Sequence, residues 1–546
     1  MATLSFKGKP FVQNYHLAVK YHELIPVKKN SLTKKVSLND NLIIHGDNLK
    51  ALKALLPTYA RRIKCIYIDP PYNTGNEWIY NDNVNSPMMQ EWLGKVVSKD
   101  DLTRHDKWLC MMMPRLRLLR DLLRQDGVIF ISIEENEIRH LKMLMDEVFG
   151  EQNSIGTFIW RKKEGGGQTD AYFVTEHEYV VVYARSEEFE WLDEVIPITE
   201  AEFNKKDKAG RFSAIKLAKW GVGAKREDRP KMYFSIEAPD GTSVYPRTPD
   251  GREGRWRVGK TRMAELVQND LIYWEQRNGD WVAYEKVYFE EGKVKKIKER
   301  SILYELANTG DASNELKEIF GVKDVFDNPK PTELIKFLIR YTTKGDSIVL
   351  DSFAGSGTTA HAVLALNKED GGKRKFILVE CEDYANEITA ERVRRVINGV
   401  PGARDDTLRN GLGGSFSFFE LGEPIEMESI LEGKKLPSYL DLARYVFYTA
   451  TGEEFLPEQV DEDRHFIGES KEYQVYLFYK PDLDYLKSTA LTLELAKTLG
   501  DYTGKKKLVF APTKYLDLND SELLAKHGLK DIEYCQLPFE IYKLKE

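Results

Sequence analysis

Short apolar runs that end in polar turns, separated by helix-like segments, constrain the fold of this chain most strongly. The runs predict strands at 41–44, 63–68, 128–133, 347–350 and 376–379, and helices at 49–56, 108–123, 137–149, 332–341 and 358–366. Pro57 is expected to stop the first helix and Gly127 to open the third strand. The alternation predicts an α/β fold, a mostly parallel sheet with helices on both faces.

The alternation stops between about residues 151 and 325. This stretch is irregular, contains three successive glycines at 165–167 and is rich in aromatic and basic residues. Residues 73–105 are polar and predict a loop. After 415 further strand-like runs appear at 475–479 and 507–510. We therefore expect one sheet interrupted by an inserted domain and followed by an additional α/β segment.

Charge is distributed unevenly along the chain. The whole sequence carries a net charge of −7, yet residues 201–300 hold 23 Lys and Arg against 16 Asp and Glu. Residues 401–546 hold 18 against 27. The basic middle is typical of a surface that meets phosphates, and the acidic end favours a protein partner.

No apolar run approaches the roughly 20 residues of a membrane span, and residues 1–11 lack the apolar core of a secretory signal. We expect a soluble, cytoplasmic protein without a membrane partner. The cysteines are far apart and form no CxxC pair, which argues against a disulfide framework or a metal site and predicts buried thiols. They are Cys65, Cys110, Cys381 and Cys535.

A glycine turn at 351–359 lies between a predicted strand and a predicted helix. Gly355 and Gly357 allow a tight turn and the close approach of a ligand. Glu380 closes the next strand, where doubly wound folds place a carboxylate on ribose hydroxyls. A phosphate loop lacks its lysine here, and a dinucleotide fingerprint lacks its third glycine, replaced by Ala360. An adenosyl-cofactor turn fits best, with a purely structural turn as the alternative.

Asp69, Pro70, Pro71 and Tyr72 follow the strand 63–68 directly. Two prolines stiffen the loop and remove two N–H groups, leaving carbonyl acceptors, a carboxylate and an aromatic ring. This combination suits a planar group that bears an NH₂: Asp69 and the Pro70 carbonyl can accept its hydrogens, and Tyr72 can stack on the ring. The alternative is a proline-stiffened strand exit. Transfer of a group from a cofactor at the glycine turn to an amine at this loop would require the two to lie side by side at one sheet edge.

Residues 69–75 and 353–359 together resemble the amino-methyltransferases of DNA. The order of the motifs, 69–75 before 353–359, resembles the β group, a circular permutation of the usual fold. More narrowly, the chain resembles the modification subunit of type III restriction–modification systems, including the tail stretches 444–452 and 510–515.

The resemblance implies a circularly permuted, Rossmann-like methyltransferase sheet with an inserted target-recognition domain and a C-terminal α/β extension. The strand-like run 177–183 resembles the last sheet strand before the insert. The implied division is an N-terminal arm at 1–40, a catalytic half at 41–185, a target-recognition domain at 186–325, a cofactor-binding half at 326–400 and a dimerisation or partner domain at 401–546.

The resemblance also implies site residues. The catalytic residues would be Asp69, Pro70, Pro71 and Tyr72. The S-adenosylmethionine contacts would be Asp47, Lys330, Thr332, Asp351, Phe353, Ala354, Gly355, Gly357, Thr358 and Glu380. Asp47 has the alternative role of a helix cap, and Lys330 that of a surface residue.

An aspartate at the start of the tetrapeptide favours adenine N6 as the acceptor, with cytosine N4 as the alternative. Either base must be flipped out of a duplex. The insert would supply phosphate and base-edge contacts, although ordinary solvation is the commoner role for any single basic residue. Candidates are Lys225, Arg226, Arg229, Arg252, Arg255, Arg257, Lys260 and Arg262.

The expected partners are double-stranded DNA, a second copy of the chain in a homodimer, and a separate restriction subunit that hydrolyses ATP and cleaves. The chain itself shows no GxxxxGK[ST] loop and no convincing nuclease triad. Two other classes stay open: a non-catalytic DNA-binding or assembly subunit with a methyltransferase fold, and an RNA or protein methyltransferase.

Overall fold

A computed structural model describes residues 4–73, 104–165, 172–424, 436–500, 503–518 and 521–537. Most of the loop predicted at 73–105 and two of the three glycines at 165–167 lie outside this part of the chain. The contacts divide the molecule into two compact units, Met1–Leu192 with Arg300–Glu546, and Asp193–Glu299.

The strands are β1 His22–Pro26, β2 Leu42–His45, β3 Ile63–Ile68, β4 Leu123–Ile133, β5 Ser154–Arg161, β6 His177–Ala184, β7 Glu194–Pro197, β8 Lys205–Lys206, β9 Arg211–Lys216, β10 Ile236–Glu237, β11 Ser243–Val244, β12 Ile272–Arg277, β13 Asp280–Tyr288, β14 Val294–Ile297, β15 Ile302–Leu303, β16 Ile348–Asp351, β17 Lys375–Glu380, β18 Ser417–Pro424, β19 Phe466–Glu469, β20 Tyr473–Leu477, β21 Lys506–Ala511 and β22 Ile532–Gln536.

The α-helices are α1 Lys9–Val12, α2 Tyr15–Ala18, α3 Asn48–Tyr59, α4 Arg104–Leu122, α5 Ile138–Phe149, α6 Lys260–Gln268, α7 Thr309–Phe320, α8 Thr332–Arg340, α9 Thr358–Asp370, α10 Glu391–Asn398, α11 Asp406–Asn410, α12 Tyr439–Thr451, α13 Leu483–Ser488, α14 Leu493–Thr498 and α15 Ser521–Lys526.

The first unit is built on one sheet in the order β1-β18-β2-β17-β16-β3-β4-β6-β5-β15. All neighbours from β18 to β4 are parallel, whereas β6 runs antiparallel between β4 and β5. The register sets Leu350 opposite Ile66 and Glu380 opposite His45. The predicted mostly parallel sheet is confirmed, and the carboxyl ends of β2, β17, β16, β3 and β4 share one edge.

Two apolar layers cover the two faces of this sheet. One layer combines β-strand residues with α3, α4 and α5, and the other combines them with α8, α9 and α10. Central strands buried on both faces are nearly continuous apolar runs, which explains the 63–68 segment, in which Lys64 alone is charged.

Two local predictions were wrong. Helix α3 continues through Pro57 to Tyr59, because a proline one turn from the end loses a single helical hydrogen bond while the surrounding residues stay buried. Strand β4 begins at Leu123 rather than after Gly127, since Leu123 already pairs with Ile63.

The second unit contains a four-stranded sheet, β12-β13-β9-β8, and two two-stranded sheets. Helix α6 packs its buried Met263 and Leu266 around the buried Trp256. This unit is shorter than the predicted insert 186–325. Residues 300–325 contain β15, which pairs with β5, and α7, which packs on α10 of the first unit.

The segment 436–537 adds a second sheet to the first unit, in the order β19-β20-β21-β22, with parallel pairing from β20 to β22. Helix α12 packs on α3, and the Phe455 N–H donates to the Pro57 carbonyl at 3.0 Å. None of the described helices is long and apolar enough to cross a membrane.

Candidate active site

The loop after β3 presents a carboxylate and a phenol in contact with each other. The Tyr72 hydroxyl donates to Asp69 Oδ1 at 2.6 Å. Trp108, fully buried on α4, donates its indole N–H to the Pro71 carbonyl at 2.7 Å. This bond and the two rigid prolines fix the course of the loop, so Asp69 and Tyr72 stand at a defined place on the sheet edge.

Two lysines and a second acid surround this loop. Lys330 Nζ lies 2.7 Å from Asp69 Oδ2 and 3.4 Å from Glu178 Oε2, and its ammonium stands 5.1 Å from the centre of the Tyr72 ring. Lys162 Nζ lies 3.0 Å from Glu178 Oε1 and also pairs with Glu134. The site therefore holds a chain of alternating charges that begins at Asp69.

Burial and these charges shift the pKa values in different directions. Burial raises the pKa of the Asp69 carboxyl, although Lys330 opposes the shift. Burial would also raise the pKa of Glu178, but Lys330 and Lys162 outweigh it and hold that pKa below its usual value. Burial would lower the pKa of Lys330, and the two carboxylates raise it instead. The site thus favours the protonated form of Asp69 and the ionised form of Glu178, relative to each group in water.

The glycine turn follows β16 and leads into α9. The Gly355 N–H donates to Glu380 Oε2 at 2.7 Å, and the Gly357 N–H donates to the Ala354 carbonyl at 2.8 Å. Both glycines have positive φ, +50° for Gly355 and +81° for Gly357. A Cβ on Gly357 would stand 3.0 Å from the Thr389 carbonyl oxygen, so glycine is required there for steric as well as conformational reasons.

Asp351 braces the start of this turn. Its Oδ1 accepts the Phe353 N–H at 3.0 Å, and its Oδ2 accepts the Thr359 hydroxyl at 2.6 Å. Burial raises the pKa of this carboxyl to about 7, against the effect of the two hydrogen bonds. Asp351 therefore joins the strand end to the first turn of α9.

One cavity of about 720 Å³ brings the two motifs together. Tyr72 and Gly355 both line it, as the predicted side-by-side placement requires. The predicted site residues on its wall are Asp69, Pro70, Pro71, Tyr72, Lys330, Asp351, Phe353, Ala354, Gly355 and Thr358.

Among the described residues, four predicted cofactor contacts do not line this cavity: Asp47, Thr332, Gly357 and Glu380. Asp47 caps α3 by accepting the Lys50 N–H at 3.0 Å. Thr332 donates to Glu315 at 2.7 Å, and Gly357 caps α9. Glu380 is buried and accepts three backbone N–H groups, at Gly355, Cys381 and Glu382.

Several site residues escaped the sequence analysis. Glu178 and Lys162 come from the β5–β6 pair, and Phe326 and Tyr384 add aromatic surface to the cavity wall. Glu178 had a usable signal: it shares a strand face with the buried Val180 and Val182, and a charge on such a face needs a partner. Phe326 lies in an irregular segment and Tyr384 in a single turn of 3-10 helix, and neither segment carries a comparable pattern.

A buried arginine stands behind the glycine turn. The Arg392 guanidinium donates to Ser356 Oγ at 3.0 Å, Thr358 Oγ1 at 2.8 Å and Glu315 Oε2 at 2.9 Å. Because Ser356 and Thr358 flank Gly357, this network fixes the turn from its far side.

A group of three side chains beside the catalytic loop has ligand-capable atoms within 4.8 Å of one another: His105, Glu137 and His140. Their spacing in sequence carries no recognisable metal pattern, so sequence analysis did not find them. Each imidazole Nδ1 lies within hydrogen-bond reach of the buried Glu137 carboxylate, at 2.5 Å and 2.9 Å. Glu137 also accepts from the Asn73 amide, so the group anchors the residue after Tyr72.

The fold and the cavity define a Rossmann-like α/β protein with its ligand site at the carboxyl edge of a mostly parallel sheet. The family model described as DNA methylase matches residues 63–391, which include both motifs and the second unit. The chain belongs to this DNA methylase family.

Three curated relatives are similar to the chain. The Mod subunit of the type III restriction-modification enzyme EcoPI of Escherichia phage P1 is 35% identical over 68% of this chain and 64% of its own length. The type II methyltransferase M.KpnI of Klebsiella pneumoniae is 37% identical over 61% of this chain and 79% of its own length. The StyLTI Mod subunit of Salmonella typhimurium is 32% identical over 72% of this chain and 62% of its own length. The chain thus spans less than two thirds of these two Mod subunits.

Proposed function

We propose that the protein transfers a methyl group from S-adenosylmethionine to the N6 amine of a flipped adenine in duplex DNA. One observation carries the proposal: Asp69 and Tyr72 share a single cavity with the glycine turn at Gly355. An amine acceptor site and a cofactor turn on one cavity allow donor methyl and acceptor nitrogen to align, which supplies much of the catalysis.

The glycine turn fits the cofactor. At Gly355 a Cβ would stand 3.1 Å from the Phe326 ring, so the missing side chain lets this ring pack closely against the turn at the cavity wall. Phe353, Phe326 and Tyr384 offer apolar surface for an adenosyl group. When bound, S-adenosylmethionine supplies an electrophilic methyl group on a sulfonium. Glu380 supports the turn from behind and retains unused lone pairs for a ribose hydroxyl.

The Asp-Pro-Pro-Tyr loop fits the acceptor. Asp69 and the Pro70 carbonyl would accept the two hydrogens of the exocyclic amine and favour a nitrogen whose lone pair faces the methyl group. Tyr72 would stack on the base. The amine loses one proton when it gains the methyl group, and the raised pKa of Asp69 suits that carboxylate to receive it.

The remaining elements have proposed roles as well. Strands β2 to β6 precede β16 and β17 in the chain although β16 and β17 lie at the centre of the sheet, and this supports the circular permutation. We assign target recognition to the insert. Duplex DNA and a separate restriction subunit are proposed partners, in line with the names of the Mod relatives. A homodimer formed through the acidic end 401–546 is proposed as well.

Methyl transfer from tritiated S-adenosylmethionine to unmethylated duplex DNA of mixed sequence tests the proposal. Digestion of the product to deoxynucleosides should give labelled N6-methyl-2′-deoxyadenosine, whereas label in N4-methyl-2′-deoxycytidine would reassign the base. Asp69→Ala should lower the rate of methyl transfer at least a hundredfold, because it deletes a carboxylate that accepts a hydrogen of the amine. The control is Asp346→Ala, which changes an exposed carboxylate just before β16. No labelling of DNA by the wild-type protein would refute the proposal in favour of a non-catalytic subunit, and RNA as the better competitor would refute DNA as substrate.

A further inference from the structure

Glu178 is a buried acid for which the proposed chemistry has no role so far. It lies near the start of β6, and its side chain is 8% exposed. Three groups converge on it: Lys162 at 3.0 Å, the Tyr72 hydroxyl at 3.2 Å and Lys330 at 3.4 Å. A buried carboxylate is retained at a site only with such partners, and two of these three also belong to Asp69.

Tyr72 and Lys330 each stand between the same two acids. The Tyr72 hydroxyl has one hydrogen, donated to Asp69 at 2.6 Å, and Glu178 lies within reach of the same hydrogen. The Lys330 ammonium is 2.7 Å from Asp69 and 3.4 Å from Glu178. Both oxygens of Asp69 are therefore engaged by groups that have Glu178 as their alternative acceptor.

An incoming amine competes with these groups. A base that donates a hydrogen to Asp69 weakens the bonds of this carboxylate to Lys330 and Tyr72, because each of its oxygens already accepts from one of them. A buried ammonium whose carboxylate is weakened in this way without a replacement opposes binding of the base. Glu178 offsets this effect if it takes over the weakened group.

We propose that Glu178 is a positioning residue that takes over Lys330 and Tyr72 from Asp69 when the exocyclic amine docks. Lys162 keeps Glu178 ionised for this exchange, since its ammonium lies on the other oxygen. In this exchange hydrogen bonds change partners, and no covalent bond forms or breaks. This inference rests on the proposed function, because it presupposes an amine that binds Asp69.

Steady-state methyl transfer by the full chain tests the role. Glu178→Gln keeps the size of the side chain and removes its charge, so kcat should fall roughly tenfold to a hundredfold while KM for S-adenosylmethionine stays within about twofold. Glu178→Asp keeps the charge and should retain most of kcat. Glu188→Gln, an exposed carboxylate beyond the same strand, is the matched control and should leave both constants unchanged.

The pH profile separates this role from a structural one. Glu178 raises the pKa of Asp69 by charge repulsion, so its neutralisation should move the acidic limb of kcat to lower pH. The charges that act on Asp69 are those of Lys330 and Glu178, and the Tyr72 hydroxyl adds a hydrogen bond. Tyr67 and Asp351 are the other titratable groups that interact with Asp69.

An unchanged kcat and acidic limb in Glu178→Gln would overturn the inference. So would equal losses in Glu178→Gln and Glu178→Asp accompanied by a lowered Tm, because that pattern marks a purely structural carboxylate. The wild-type rate is measured first. Its absence refutes the proposed function, whereas a wild-type rate with an unaffected Glu178→Gln refutes only the role of Glu178.

Discussion

The two sides of the cavity satisfy their polar groups in different ways. On the glycine-turn side, backbone N–H groups of the same segment bind the carboxylates of Asp351 and Glu380. On the side of the catalytic loop, a lysine from a distant segment, Lys330, and the loop's own Tyr72 bind Asp69. Backbone bonds within a turn cannot be exchanged without unfolding it, whereas side-chain partners can be displaced. Under the proposed function, the cofactor side is therefore preorganised and the partners on the base side can exchange.

The largest expected effect is the loss of stability when Arg392, behind the glycine turn, is replaced. Arg392→Met removes the buried guanidinium and leaves Glu315 without its closest cation, so stability should fall by about 3–5 kcal/mol. Thermal unfolding would show a lowered Tm together with weakened S-adenosylmethionine binding. Arg395→Met, on the same helix but 40% exposed, should cost under about 1 kcal/mol. Equal shifts in the two variants would contradict a preorganising network.

Asp351 adds a pH dependence to the same side. Its pKa is raised from 3.8 to about 7 in the folded chain, so between these values the folded state binds more protons than the unfolded state. Stability should therefore fall as pH rises from about 5 to 7 and level off above, by roughly 3 kcal/mol in this window. Asp351→Asn keeps the acceptor of the Phe353 N–H, while its amide N–H would donate to the Thr359 hydroxyl in the reverse direction, and the variant should abolish this slope. Tm measured against pH for both proteins checks it, and parallel curves would refute it.

The sequence predicted the placement of the two motifs because that placement follows from short-range patterns. A strand that ends in Asp-Pro-Pro-Tyr and a strand that ends in a glycine turn meet wherever both are parallel in one sheet. Neither pattern specifies the partners of Asp69. Lys330 contacts Asp69 although it lies 261 residues away in sequence. Glu178 and Lys162 extend this chain of charges, and the antiparallel β5–β6 pair brings them there. Strand patterns do not fix such register, and therefore the charges around the loop became visible only in three dimensions.

The predicted cofactor residues show the same limit. Phe353 and Gly355 of the turn line the cavity, and Lys330 of a separate segment lines it as well. Asp47 and Thr332 do not line it, since their side chains bind the start of α3 and Glu315, and their contacts with the cofactor stay predictions. A motif therefore located the site, and the surrounding packing decided which neighbours reach it.

The two glycines separate a backbone requirement from a ligand requirement. Gly357→Ala meets the Thr389 carbonyl at 3.0 Å at a φ of +81°, so stability should fall by about 2 kcal/mol. Gly355→Ala meets only the movable tip of the Phe326 ring, but it projects a methyl group beside the cavity. It should cost less stability and more S-adenosylmethionine affinity. Calorimetric titration with S-adenosylmethionine and the Tm of both variants test this. A larger loss of stability and a smaller loss of affinity in Gly355→Ala than in Gly357→Ala would show that Gly355 serves the backbone alone.

The smallest expected effect concerns Tyr72, on the side of the cavity where side chains bind Asp69. Tyr72→Phe keeps the ring that would stack on the base and removes the hydroxyl that donates to Asp69 at 2.6 Å. Because Lys330 still binds Asp69, only one charge-assisted bond is lost, and kcat should fall about tenfold with S-adenosylmethionine affinity unchanged. Tyr179→Phe, whose hydroxyl binds the exposed Glu135, is the matched control. A loss as large as that of Asp69→Ala would mean that the phenol, rather than the lysine, holds the carboxylate in place, and the lysine-centred exchange on this side would have to be abandoned.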